Sequence, residues 1–166
     1  PLPLRVFEPR YLDMVSRCLR EQSPFGVLLL LQGSETGAAH TASVGTLAQI
    51  TDWYQGSDGI LGITVTGAER FELVSVDRLP DGLHVGVVQT LPPDPAVPLP
   101  GKYQPMAEIL QAILDDLGKL YGGVPRRFED SGWVGCRFAE ILPIPLEQKQ
   151  HCLQLDDPVE RLEFLR

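Results

Sequence analysis

The chain has 166 residues, 43% of them hydrophobic and 22% charged, with 14 Lys or Arg against 22 Asp or Glu and a formal net charge of −8. That composition belongs to a globular protein with a core, not to a disordered or fibrous chain. The acidic balance argues against general nucleic-acid binding, which needs Lys and Arg to neutralise phosphate, and the longest apolar stretch, Phe25–Leu31, falls far short of the roughly 20 residues a membrane-spanning helix needs.

The chain opens at Pro1 rather than Met. Pro9 suits a first helical turn. Tyr11, Met14, Val15, Cys18 and Leu19 then recur at helical spacing, which predicts a helix over about residues 9–21. Ser23-Pro24 ends it. Phe25–Leu31 reads as a short apolar strand, Gly33–Thr41 as a small polar loop and Val44–Thr51 as the next strand. Leu61, Ile63 and Val65 alternate with small or polar residues, the period of a half-buried strand. Gly67–Arg70 reads as a turn before a strand at Phe71–Val76. Leu83, Val85 and Val87 alternate after the turn Pro80-Asp81-Gly82. Five short strands at close spacing predict a closed or nearly closed barrel.

Leu91–Pro100 holds five prolines and reads as a stiff extended connector. Beyond it the periodicity becomes helical. Met106, Ile109, Leu110, Ile113, Leu114, Leu117 and Leu120 form a stripe ending at Gly122-Gly123. Ser131 reads as the N-cap of a helix carrying Trp133, Val134, Phe138 and Leu142. A short helix at 146–154 follows, and Asp156 or Asp157 caps a last one from Pro158. The class is therefore α+β: residues 1–99 form a β-barrel subdomain with one early helix, and residues 100–166 a helical one.

The sequence holds no GxSxG, HExxH, SxxK or P-loop pattern. His40, His84 and His151 read as surface residues. Asp115 and Asp116 are adjacent on a helix and point about 100° apart, so they cannot share a proton as a catalytic dyad does. Cys18, Cys136 and Cys152 are odd in number and lack CxxC spacing, which fits a reducing cytoplasm, with Cys18 and Cys136 as buried packing residues. No metal site and no cofactor are expected. Glu8, Arg10 and Tyr11 read as a structural clamp at a strand-to-helix junction, and an unrecognised enzyme site would have to draw on them. Trp53 and Tyr54, read as lying in a turn-rich loop, and Phe128, ahead of the Trp133 helix, are the candidates for exposed aromatic contacts.

Several strings carry a resemblance. Pro3–Tyr11 resembles the LPLxIFExRY signature of the Lon protease N-terminal domain family. Val44–Ile50 is similar to that family's GTxAxI strand, and Gly67–Phe71 to its GxxRF turn. Trp133–Pro143, Lys149-Gln150 and Leu155–Leu162 also follow its pattern, in the family's order and over essentially the whole chain. Gly45, Arg70, Trp133 and Arg161 are the structural positions these strings contribute, beside Glu8, Arg10 and Tyr11. The resemblance implies a PUA-like β-barrel followed by a C-terminal α-helical bundle, with a further strand of the LFPLxxxLFPG type at the start in family members. It implies a non-catalytic domain that holds unfolded or degradation-prone polypeptides, here without the family's ATPase and Ser-Lys peptidase segments, with a protease acting in trans as a partner. An RNA-binding PUA-like module is the alternative. It is disfavoured because Lys occurs only at Lys102, Lys119 and Lys149, and Arg126-Arg127 is the sole basic doublet.

Overall fold

Period-two and period-3.6 patterns separate cleanly along the computed structural model, which describes residues 1–32 and 40–166. Two compact units result, Pro1–Pro92 and Pro93–Arg166.

The first unit is an antiparallel sheet with one helix. Strand β1 (Leu2–Val6) leads into helix α1 (Pro9–Glu21). Strands β2 (Phe25–Val27), β3 (Leu30–Gln32), β4 (His40–Thr41), β5 (Val44–Gln55), β6 (Leu61–Arg78) and β7 (His84–Thr90) follow. The main sheet runs β1-β6-β5-β2, and β7 also pairs with β6; β3 and β4 form a separate ribbon. β1 takes the start of β6, with Leu2 opposite Val65 and Val6 opposite Leu61. β7 takes its end, with Phe71 opposite Thr90 and Arg78 opposite His84. The α+β class stands, but the pairing does not close: among the described residues β1, β2 and β7 each have one strand neighbour.

The strand boundaries differ from the sequence reading for physical reasons. Phe25–Leu31 is not one strand; β2 pairs with β5, and the chain then leaves to pair β3 with β4. Gly67–Arg70 is not a turn. Thr46 faces Arg70 and Ala48 faces Gly67, so Ala68 and Glu69 stand against Leu47 alone. This β-bulge bends the strand without ending it, which is why the expected strands at 61–66 and 71–76 are one strand of 18 residues. The expected loop Gly33–Thr41 lies largely outside the described residues, and its last two residues form β4.

The core of the first unit is Val6, Val15, Ala48, Ile63 and Val65, with Leu4, Leu12, Met14, Phe25, Ile50 and Leu61 packed around it. α1 thus buries Val15 and Cys18 against the sheet as its spacing predicts, while Leu19 stays exposed. Where β5 passes β2, a side chain at Gly45 would meet the Val27 carbonyl oxygen at 2.5 Å and Phe71 Cζ at 2.7 Å, so only glycine fits.

The second unit packs helices α2 (Gln104–Leu117), α3 (Ser131–Ile141), α4 (Leu146–Gln154) and α5 (Pro158–Leu165). Tyr103, Ala107, Leu110, Leu114, Tyr121, Val134, Phe138 and Leu162 form its core. α2 stops at Gly118 (φ 50°), earlier than Gly122-Gly123, and Ile109 of the expected stripe faces solvent. The α3 N-cap is Asp130, not Ser131: the Asp130 carboxylate accepts the Trp133 N–H at 3.0 Å. Ser131 instead donates its hydroxyl to the Pro98 carbonyl, and its N–H goes to the Val97 carbonyl. The proline-rich segment is therefore laced to the start of α3. Asp157 caps α5 by accepting the Val159 N–H at 2.8 Å.

Arg161 is 1% exposed. Its guanidinium donates to the carbonyls of Cys152 and Leu155 and pairs with Asp94, tying α5, the α4 end and the proline-rich segment together. Such a buried cation is tolerated because its N–H groups find acceptors. Cys152 is buried nearby, and Cys136 is half-buried rather than buried. Burial first, and then a hydrogen bond to Glu140, push the Tyr121 hydroxyl pKa above its ordinary value.

Gly45→Ala should lower the stability of the first unit by about 1–3 kcal/mol, as overpacking does; an unchanged urea midpoint would show that β2 gives way freely. Because the folded state holds the Tyr121 proton more tightly than the unfolded chain, its contribution is complete below about pH 10 and lost as pH rises further. Urea midpoints followed by Trp133 fluorescence in a Trp53→Phe background should fall more steeply with alkaline pH than those of the same protein carrying Tyr121→Phe.

Candidate functional site

Strand β5 continues four residues past the sequence expectation, to Gln55, and so takes Trp53 and Tyr54 out of the loop assigned to them. Trp53 stands opposite Ile63 and Tyr54 opposite Gly62. Neighbours in a strand point to opposite faces, so the two aromatics present one ring to each side of the β5–β6 hairpin and do not form one platform. Trp53 is 62% exposed and Tyr54 49%. The Tyr54 ring lies across the Gly62 backbone, where a Cβ would collide with it; a glycine in a strand is thereby covered by a cross-strand aromatic.

The hairpin tip holds this arrangement. Gly56 N–H donates to the Ile60 carbonyl at 2.8 Å, the Asp58 carboxylate accepts the Ile60 N–H, and Arg5 from β1 pairs with Asp58. On β5 itself the Trp53 N–H donates to the Asp52 carboxylate at 2.8 Å.

Phe128 is in the second unit, half-buried, with its ring edge-on to Trp133 at 5.1 Å. It packs against the core of that unit and is less open than an exposed contact residue. Trp133 is half-buried in the same place.

The remaining motif residues are structural in their contacts. The Glu8 carbonyl accepts the Tyr11 and Leu12 N–H groups at the α1 start, and its carboxylate accepts from Arg10 Nε at 2.9 Å. Arg10 is buried, lies over the Tyr11 ring and donates Nη1 to the Gly82 carbonyl at 2.8 Å. This clamps α1 to the β6–β7 turn. Arg70 sits at the β6 bulge, and its carbonyl accepts the Leu91 N–H.

The β6–β7 hairpin adds exposed residues that the sequence reading placed wrongly. Of the alternating residues Leu83, Val85 and Val87 only Leu83, just ahead of β7, is buried; every residue of β7 itself is exposed. Val74, Val76, Val85, Val87 and Val88 all face solvent, Val74 as the extra residue in a second bulge. Phe7 of the Pro3–Tyr11 string, 67% exposed between β1 and α1, is a further exposed aromatic. A lone aromatic at a junction and a valine-rich strand carry no signal that separates a contact surface from a core.

Glu163 and Cys152 in the second unit have shifted titrations that trace to its packing. The Tyr103 hydroxyl, and after it the Lys102 ammonium, hold Glu163 below the usual carboxylate range, and burial pushes the Cys152 thiol up. Among the described residues no three His, Cys, Asp or Glu side chains are grouped to hold a metal, and no described helix is long and apolar enough to cross a membrane. Phe7, Trp53 and Tyr54 are the aromatic side chains most open to contact in the first unit.

Comparison with known proteins gives this surface a context. The family model of the ATP-dependent protease La (LON) substrate-binding domain matches residues 1–166. The crystal structure of a Lon N-terminal domain protein from Xanthomonas campestris is similar at 36% identity and a TM-score of 0.80, over 99% of this chain and 86% of that one. The N-terminal domain of the Mycobacterium avium complex Lon protease shares the fold, with a TM-score of 0.62 at 16% identity over the same shares of each chain. No curated protein matches.

Replacing Tyr54 by Ala should cost about 0.2–1 kcal/mol, the range of a cross-strand aromatic contact. It should also remove a ring-current shift from the Gly62 α-protons in the NMR spectrum; unchanged Gly62 resonances would mean that the ring rests elsewhere in solution.

Proposed function

Because the chain belongs to the ATP-dependent protease La (LON) substrate-binding domain family, we propose that it captures unfolded or degradation-prone polypeptides and offers them to a protease acting in trans. The observation that carries this reading is the exposure of Trp53 and Tyr54 on a hairpin held rigid by strand pairing. Large aromatics fixed on a rigid element bury much apolar area at little entropic cost, the property of binding hot spots. The β6–β7 valines are further exposed apolar side chains of the same unit, and Phe128 is a separate, half-buried candidate within the second unit.

Each contact is individually weak, because an unfolded partner must be ordered as it binds. Selectivity therefore rests on what unfolded chains expose and folded ones hide. The 166 residues contain no P-loop and no Ser-Lys peptidase segment, which supports a binding role without catalysis. The odd number of cysteines and the lack of CxxC spacing support action in a reducing cytoplasm.

The test is fluorescence anisotropy of labelled, reduced and alkylated ribonuclease titrated with the chain, with native ribonuclease as the folded control. Saturable binding of the unfolded form alone is expected, changing little as salt rises from about 0.1 to about 0.5 M, since apolar contact does not depend on the charge attraction that salt screens. The Trp53→Ala/Tyr54→Ala double variant should weaken it roughly tenfold or more, about 1.4 kcal/mol. Full binding by that variant would remove these residues from the site, and salt-sensitive binding of a labelled RNA in place of the polypeptide would overturn the reading.

A further inference from the structure

β5 has two edges, and they are treated differently. β6 runs along one edge through to Gln55. On the other, β2 pairs only with Thr46, Leu47 and Ala48. From Gln49 to Gln55 that second edge has no strand partner among the described residues; Thr51 is an extra residue in a bulge there, its hydroxyl donating to the Thr64 carbonyl, and Thr51–Gln55 are all exposed. At about 3.3 Å per residue this leaves roughly 20 Å of unpaired edge.

A cavity lies at the point where β2 stops. It has a volume of about 170 Å³ and is lined by Cys18, Leu19 and Gln22 from the end of α1 and by Gln49 and Ile50 from β5. Gln22 closes α1 in the left-handed conformation (φ 52°), and Ser23-Pro24 then turns the chain into β2. The cavity therefore sits on the line that β2 would follow if it were longer. Its lining is more polar than apolar, with Cys18, Leu19 and Ile50 supplying apolar side chains beside Gln22 and Gln49.

We infer that an extended, apolar, non-acidic polypeptide segment adds as a strand to β5 between Gln49 and Gln55, continuing the line of β2 and seating one side chain in the cavity beside Leu19 and Ile50. The inference rests on the polypeptide-binding reading above and specifies how the captured backbone is held. An open strand edge offers alternating N–H and C=O groups whose complement is another extended backbone. That mode is tolerant of sequence, because main-chain hydrogen bonds supply the affinity and alternate side chains only adjust it. Trp53 and Tyr54 then flank the added strand on opposite faces. Asp52 sets the charge preference, since a carboxylate at the edge repels acidic segments. It also occupies the Trp53 N–H while the edge is empty, which restrains pairing between copies of the chain, as charged residues at natural sheet edges do.

The experiment uses the whole chain and a nine-residue synthetic peptide of alternating Val or Phe and Thr with Lys at each end. Two further versions carry N-methyl groups on alternate residues, one set on each peptide edge, so that amide donors are removed while the side chains stay. Binding is read by anisotropy, and the location by NMR amide exchange. One methylated set should weaken binding at least tenfold and the other should bind nearly as the parent does, with new protection at β5 amides between residues 49 and 55. Asp52→Ala should bind the parent peptide more tightly than Asp52→Asn, which keeps a capping oxygen. Equal binding of all three peptides overturns the added strand but leaves apolar capture standing, as does protection confined to β7. Failure to bind the peptide while reduced and alkylated ribonuclease still binds also overturns it. Binding of neither probe refutes the capture reading itself.

Discussion

The first unit depends on one strand. β6 carries β5 along one edge and β1 and β7 in succession along the other, so one strand sets the positions of three. Its bulge at Ala68-Glu69 allows this. A flat strand of 18 residues would leave its two halves in one plane, whereas a bulge adds twist and bend. The first half can then bury Ile63 and Val65 under α1 while the second half presents Val74 and Val76 to solvent. Core and contact surface are thus two ends of the same element.

The second unit is organised around a charge. Arg161 reaches two carbonyls and Asp94 from inside the helix pack. Removing one partner of such a group is costly, whereas an apolar residue of similar shape is often accepted in its place. The guanidinium therefore fixes geometry more than it adds stability. Ser131 and Leu99 perform a similar task with neutral groups, joining residues 97–99 to residues 129–131. Five prolines shorten the list of conformations this segment must give up to be held there.

Local signals in the sequence located the helices well. The spacing of Val15 and Cys18, the Asp157-Pro158 cap and the 146–154 helix all appear in the structure. The strands were harder, because their limits depend on partners remote in sequence. Gly67-Ala-Glu-Arg70 has turn-like residues and becomes a bulge only because β5 stands beside it. Trp53 and Tyr54 read as loop residues and become strand because β6 continues past them. Val85 and Val87 alternate as buried residues do, yet alternation records the pleat and not what covers it. The aromatic candidates show the same limit. Trp53 and Tyr54 were legible as notable residues, but their division between two faces required the register, and the half-burial of Phe128 required Trp133.

The Arg10 link to Gly82 has a consequence for how the chain reaches this fold. The two residues lie 72 positions apart, and β1 reaches β6 across a similarly long stretch of sequence. The β5–β6 and β6–β7 pairs, in contrast, close through short connections. Loop-closure entropy makes near neighbours the cheaper first contacts. The three-stranded meander is therefore the natural early structure, and the arrival of β1 and α1 completes it. Until α1 brings Leu12, Met14 and Val15 onto Ile63 and Val65, the core face of β6 has no helix over it, and its delay leaves a newly made chain open to aggregation.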